Sequence, residues 1–167
     1  MRPPVGAALV PVPIQEAVRD LLGDLLGRGI AADKTNPASI ENDGGHVIAA
    51  YTDDGGTISA LLVADIYLAA ATGAALAMVP AAALDEVKKK GVIDDSLLDN
   101  FKEVANILAG LLNTPSTPHV AIQGVWLSSD PELPVETWIV TEMPTKRRTY
   151  AVTIDGYGTG NLDIIVR

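Results

Sequence analysis

Apolar positions recur at helical spacing over residues 13–27. Ile14, Val18, Leu21, Leu22, Leu25 and Leu26 share one side, with Glu16, Arg19, Asp20 and Asp24 on the other. Gly27 and Gly29 predict the end of this helix. Residues 31–45 are polar and turn-rich, which predicts a loop or an irregular strand. Residues 46–51 and 57–64 are rich in strand formers, and Thr52-Asp53-Asp54-Gly55-Gly56 between them is a hairpin signal. Asp65 predicts the N-cap of a helix through about Val79, broken by Pro80. A short helical piece over 82–89 closes at Gly91. Asp94, Asp95 and Ser96 supply caps for a further helix running to about Leu112, where Asn113, Thr114 and Pro115 stop it. Strand-like runs follow at 119–127, 136–141, 148–154 and 161–166, with 155–160 as the last turn.

The order carries an internal repeat. Each half reads helix, then strand or loop, then a hairpin with an Asp-Gly turn, at Asp54-Gly55 and again at Asp155-Gly156. This predicts an α+β fold: an antiparallel sheet with helices packed on one face, built from pseudo-duplicated half-units. A length of 167 residues fits a single domain over 1–167.

The helix beginning at Asp94 has the sharpest pattern. At 100° per residue, Leu97, Phe101, Val104, Leu108 and Leu111 form the buried stripe, widened by Leu98, Ala105 and Leu112. Asp99, Glu103 and Asn106 fall together on the opposite side, because spacings of four and three keep residues on one face. Ser96 and Gly110 share that side. Asn is a poor helix former, so its mid-helix position is unexpected on propensity alone. Ala109 and Gly110, one turn beyond, leave room for another surface to approach the amide.

Composition narrows the function classes. The net charge is −9, which argues against nucleic acid and against an anionic membrane surface. Lys88-Lys89-Lys90 and Lys146-Arg147-Arg148 are short and read as solvated faces or helix ends. With no cysteine, disulfides, thiolate catalysis and Cys-based zinc sites are excluded. His46 and His119 have no ligand-spaced companions, so no metal site is expected. Residues 66–84 run nineteen positions without a charge, but Ala dominates and Thr72, Gly73 and Pro80 interrupt, so a buried helix is expected rather than a membrane span. Met1-Arg2-Pro3-Pro4-Val5-Gly6 shows no secretory pattern, and a cytoplasmic location is expected. Gly156-Tyr157-Gly158-Thr159-Gly160 is Gly-rich but lies between two strand-like runs. A phosphate cradle needs strand, loop and helix, so a hairpin turn is the better reading. Asp53-Asp54 and Asp94-Asp95 read as turn and cap residues, not as a paired acid site.

The stretch Asp99-Asn100-Phe101-Lys102-Glu103-Val104-Ala105-Asn106-Ile107-Leu108-Ala109-Gly110 resembles the active helix of the CheC/CheX/FliY chemotaxis phosphatases. That family's pattern is Asp or Ser, three residues, Glu, two residues, Asn, often followed by an apolar-Ala-Gly run. The resemblance spans about Gln15 to Arg167, with the specific part confined to this helix. Two features depart from it. The family's Pro comes well after the Asn, at the end of a long helix, whereas Pro115 and Pro118 come early here and Pro131 and Pro134 stand in a different context. The first helix carries no second motif: four and seven positions after Glu16 stand Asp20 and Gly23. CheC and FliY members carry two motifs and CheX one, so the resemblance is to the single-motif, CheX-like branch.

The resemblance implies a phosphatase for the aspartyl phosphate of a CheY-like response-regulator receiver domain. It implies that Asn106 orients the attacking water, that Glu103 pairs with the receiver's Lys, and that Asp99 and Gly110 shape the contact. It implies no metal of the chain's own, with Mg²⁺ supplied by the receiver. Two alternatives remain open: a non-catalytic receiver-binding module, and an oligomeric scaffold, including a homodimer, paired through strand edges in 119–127 and 161–166.

Overall fold

A computed structural model describes residues 10–115 and 117–167, so the Met1–Gly6 reading lies outside the described residues. The first helix, α1 (Gln15–Leu26), ends where Gly27 turns left-handed at φ 65° and its N–H bonds Gly23 O at 2.9 Å. Then come β1 (Ile30–Thr35), β2 (His46–Thr52) and β3 (Ile58–Asp65). The β2–β3 turn is held by Asp53, whose Oδ1 accepts the Gly55 and Thr57 N–H groups at 2.9 and 3.0 Å. Asp65 caps α2 (Ile66–Leu76) by accepting the Leu68 N–H at 2.7 Å. A 3₁₀ turn leads into α3 (Asp85–Lys90), which Gly91 closes at φ 64°. The helix α4 (Asp95–Leu108) tightens into a 3₁₀ turn over Ala109–Leu111. The chain finishes with β4 (Ala121–Leu127), α5 (Val135–Glu142), β5 (Lys146–Ile154) and β6 (Gly158–Val166).

The six strands form one antiparallel sheet in the order β1-β5-β6-β3-β2-β4. Exchanging the set β1, β2, β3 with β4, β5, β6 reverses this order onto itself. Each half is therefore a helix followed by a strand and a hairpin, and each half lends its first strand to the other half's hairpin. The pseudo-duplication expected from the sequence is thus a property of the topology, with β3 and β6 paired at its centre.

The main core lies between the sheet and α1 to α4. Val47, Ala49 and Tyr51 from β2 and Ala60, Leu62 and Ala64 from β3 face this side. The Ala-rich α2 is buried along nearly its whole length, as its lack of charge requires, and no helix among the described residues is long and apolar enough to cross a membrane.

Three local expectations are corrected. Residues 136–141 form helix α5 and not a strand. Thr137 and Val140, three apart on α5, are buried, and Val140, with Leu133 just before the helix, packs with Leu61, Val63 and Ile165 on the reverse face of the sheet. Residues 30–35 form the regular edge strand β1, although only Ala32 in it is buried. The last turn is shorter than expected: Ile154 pairs with Gly158, so β6 begins inside the Gly-rich run.

Candidate functional site

Asp94 Oδ1 accepts the Leu97 N–H at 2.8 Å and fixes the start of α4. Leu97, Phe101, Val104, Ala105 and Leu108 are buried as the periodicity requires. Each large side chain in this stripe contributes about 2 kcal/mol on burial. The opposite face is open. Asp99, Glu103, Asn106 and Gly110 are all exposed, and so are Ser96 and Lys102. The structure thus brings the four expected residues onto one uncovered face. Asp99 pairs with Lys102 at 3.6 Å, one turn along the same helix. A Cβ added at Gly110 would meet nothing within 4 Å, so internal packing does not require glycine there.

The residues that seat α4 come from outside its own pattern. Gly73 of α2 lies so close that a Cβ there would stand 2.6 Å from Leu97 O. Asn100 Nδ2 donates to Gly73 O at 3.2 Å across the same crossing. From the sheet, the buried Tyr51 hydroxyl donates to Ala105 O. Beyond the helix end, Asn113 donates to Ala109 O at 3.2 Å and Val120 O at 2.9 Å, and accepts the Val120 N–H at 2.8 Å. The local signals were the lone Gly in α2 and the single Asn after α4. Their partners are distant in the chain.

Of the two basic clusters, Lys88, Lys89 and Lys90 are exposed in the last turn of α3 as expected. Arg147 is different: it grips the buried Asp163 through two nitrogens, at 3.1 and 2.5 Å, and donates to Ala38 O at 3.0 Å. It is a structural partner for a buried carboxylate, not a solvated charge.

Among the described residues, the cavities found are not lined by Asp99, Glu103, Asn106 or Gly110. One cavity of about 220 Å³ lies between the start of α1 and Lys34, Arg148 and Tyr150, and another of about 320 Å³ is lined by Ile58, Gln123, Glu136 and Arg167. Both lie away from α4. A convex helix face does not surround a small molecule the way a cleft does. Among the described residues no group of three or more His, Asp or Glu is placed to hold a metal ion. In the first half, Glu16 and Asp20 are exposed on α1 but Gly23 stands where a second Asn would be needed.

No family model and no curated protein matches the sequence. Solved structures do. Thermotoga maritima FliY matches with a TM-score of 0.54 at 15% identity, over 91% of this chain and 88% of that one. The Borrelia burgdorferi CheX–CheY–BeF3–Mg²⁺ complex matches with a TM-score of 0.54 at 14% identity, over 91% of this chain and 94% of that one. The chain has a CheC/CheX/FliY-like fold. A third match, to the H. pylori FliG–FliM complex, has a TM-score of 0.53 at 10% identity, over 91% of this chain and 85% of that one.

Proposed function

We propose that this protein is a CheX-like phosphatase that hydrolyses the aspartyl phosphate of a response-regulator receiver domain. The observation that carries the reading is the open face of α4, where Asp99, Glu103 and Asn106 stand exposed together on a helix packed tightly beneath. An acyl phosphate is already reactive. A catalyst for its hydrolysis mainly has to hold a water in line with the leaving carboxylate. The Asn106 amide offers one acceptor and two donor hydrogens and is neutral near pH 7, so it orients the water without acting as a base. Glu103, nearly one turn before Asn106, suits a charge-assisted hydrogen bond to a lysine of the receiver. Asp99 shapes the contact from a further turn away, and Gly110 leaves space for the receiver beside Asn106. Mg²⁺ held by the receiver would offset charge on the phosphoryl oxygens. The CheX–CheY complex supports the reading, because that assembly joins a protein of this fold to CheY.

The experiment measures binding and turnover separately on a phosphorylated CheY-like receiver. Wild type should bind and accelerate phosphate loss, and Asn106→Ala should bind without accelerating it. The second reading is a binding module without useful hydrolysis. It is favoured by the tightening of α4 into a 3₁₀ turn directly after Leu108, and by the fold's occurrence in the FliG–FliM assembly. Binding by wild type with unaltered phosphate decay would select it.

A further inference from the structure

We propose that Tyr51 is a positioning residue for Asn106, acting through the backbone of α4, an inference that rests on the phosphatase reading above. Tyr51 lies on β2, on the face of the sheet that α4 covers, and is fully buried. A phenylalanine would fill the same space. The hydroxyl is an addition that burial makes costly unless it finds a partner, and burial also pushes the ionisation of this phenol far above its usual range. Its partner is the carbonyl of Ala105, the residue immediately before Asn106.

The contact falls where the helix changes character. The Ala109 N–H bonds Asn106 O as the 3₁₀ turn begins, and the phenol supplies a donor to the Ala105 carbonyl at the same level. One turn on, Asn113 donates to the Ala109 carbonyl and fastens both backbone groups of Val120. The carbonyls on either side of Asn106 are thus held by side chains from outside the helix.

This location matters because helix ends are where the hydrogen-bond ladder frays most readily, and Asn106 is only two residues from the end of the α-helical ladder. An amide carried roughly 5–6 Å from the helix axis moves about 1 Å when the helix rolls by about 10°. A displacement of that size can cost about a hundredfold in rate when the task is to place a water. The buried phenol, fixed to the sheet, opposes that roll at the residue next to the amide, while docking of the receiver uses the outer face and does not depend on it.

The test is Tyr51→Phe, with Asn113→Asp as a second variant that removes the donor to Ala109 O and Val120 O while keeping the acceptor for the Val120 N–H. Both are assayed at a temperature where denaturant curves show them fully folded. The readouts are kcat for loss of phosphate from the receiver and affinity for the same receiver loaded with beryllium fluoride. The expected result is a fall in kcat of about tenfold or more with the affinity unchanged within about twofold. Wild-type kcat in folded Tyr51→Phe, or a parallel loss of kcat and affinity, would overturn the positioning role while leaving the phosphatase reading intact. Equal phosphate decay with wild type and Asn106→Ala would overturn both.

Discussion

Replacing Gly73 with alanine probes the crossing that sets the height of α4 over the sheet. The added Cβ would lie 2.6 Å from Leu97 O and 3.2 Å from Asn100 Cβ, both on α4. The nearer atom is backbone, so it cannot rotate aside, and the helices must part until that distance reaches the 3.4 Å of ordinary contact. Overpacking of this kind costs about 1–3 kcal/mol. Parting the helices also weakens the 3.2 Å bond from Asn100 to Gly73 O, a loss of about 1 kcal/mol. Against this, alanine in place of glycine inside a helix recovers up to about 1 kcal/mol. The net expectation is a destabilisation of about 2 kcal/mol, equivalent to roughly 4–8 °C in Tm for a chain of this size. Urea titration followed by far-UV circular dichroism reads it as a lower midpoint at unchanged slope. A Gly73→Ala protein as stable as wild type would refute the close crossing, and with it the account of how α4 is seated.

Further outcomes follow from particular contacts. Arg147→Ala leaves the buried Asp163 without its cation, and denaturation should show a loss of about 3 kcal/mol; a loss under 0.5 kcal/mol would mean that the pair is dispensable. Tyr51 stays protonated in the folded chain well above its ordinary value of 10.0, whereas the unfolded chain releases that proton. The unfolded state then binds fewer protons, so stability should fall as pH rises above about 10, and Tyr51→Phe should flatten that alkaline limb in unfolding curves taken against pH. Gly110→Ala should leave stability within about 0.5 kcal/mol of wild type, since its Cβ meets nothing, yet weaken the receiver complex in a titration.

Much of this was legible in the sequence, for reasons that differ by element. The stripe of α4 was readable because its apolar residues keep strict helical spacing and its exposed face needs no tertiary partner to be recognised. The caps at Asp65 and Asp94 and the stops at Gly27 and Gly91 were readable because each is a local backbone requirement. Helix α5 was not. Thr137, Trp138, Ile139 and Val140 are all strand formers, and only packing onto Leu61, Val63 and Ile165 selects the helix. The role of Arg147 was hidden because its partner, Asp163, sits among apolar strand residues sixteen positions on and faces it only once β5 and β6 pair. The Tyr51–Ala105 contact links residues 54 positions apart and follows from the layering, not from any local pattern.

In the proposed reaction Asn106 orients a water for hydrolysis of an acyl phosphate on a docked receiver. Single-turnover decay of a phosphorylated CheY-like receiver, saturated in turn with wild type and with Asn106→Ala, measures that most directly. Decay with wild type should be at least about a hundredfold faster than with Asn106→Ala, and the variant should stay close to the receiver's own rate. Decay at the same rate with both proteins, under conditions where both are bound, would contradict it.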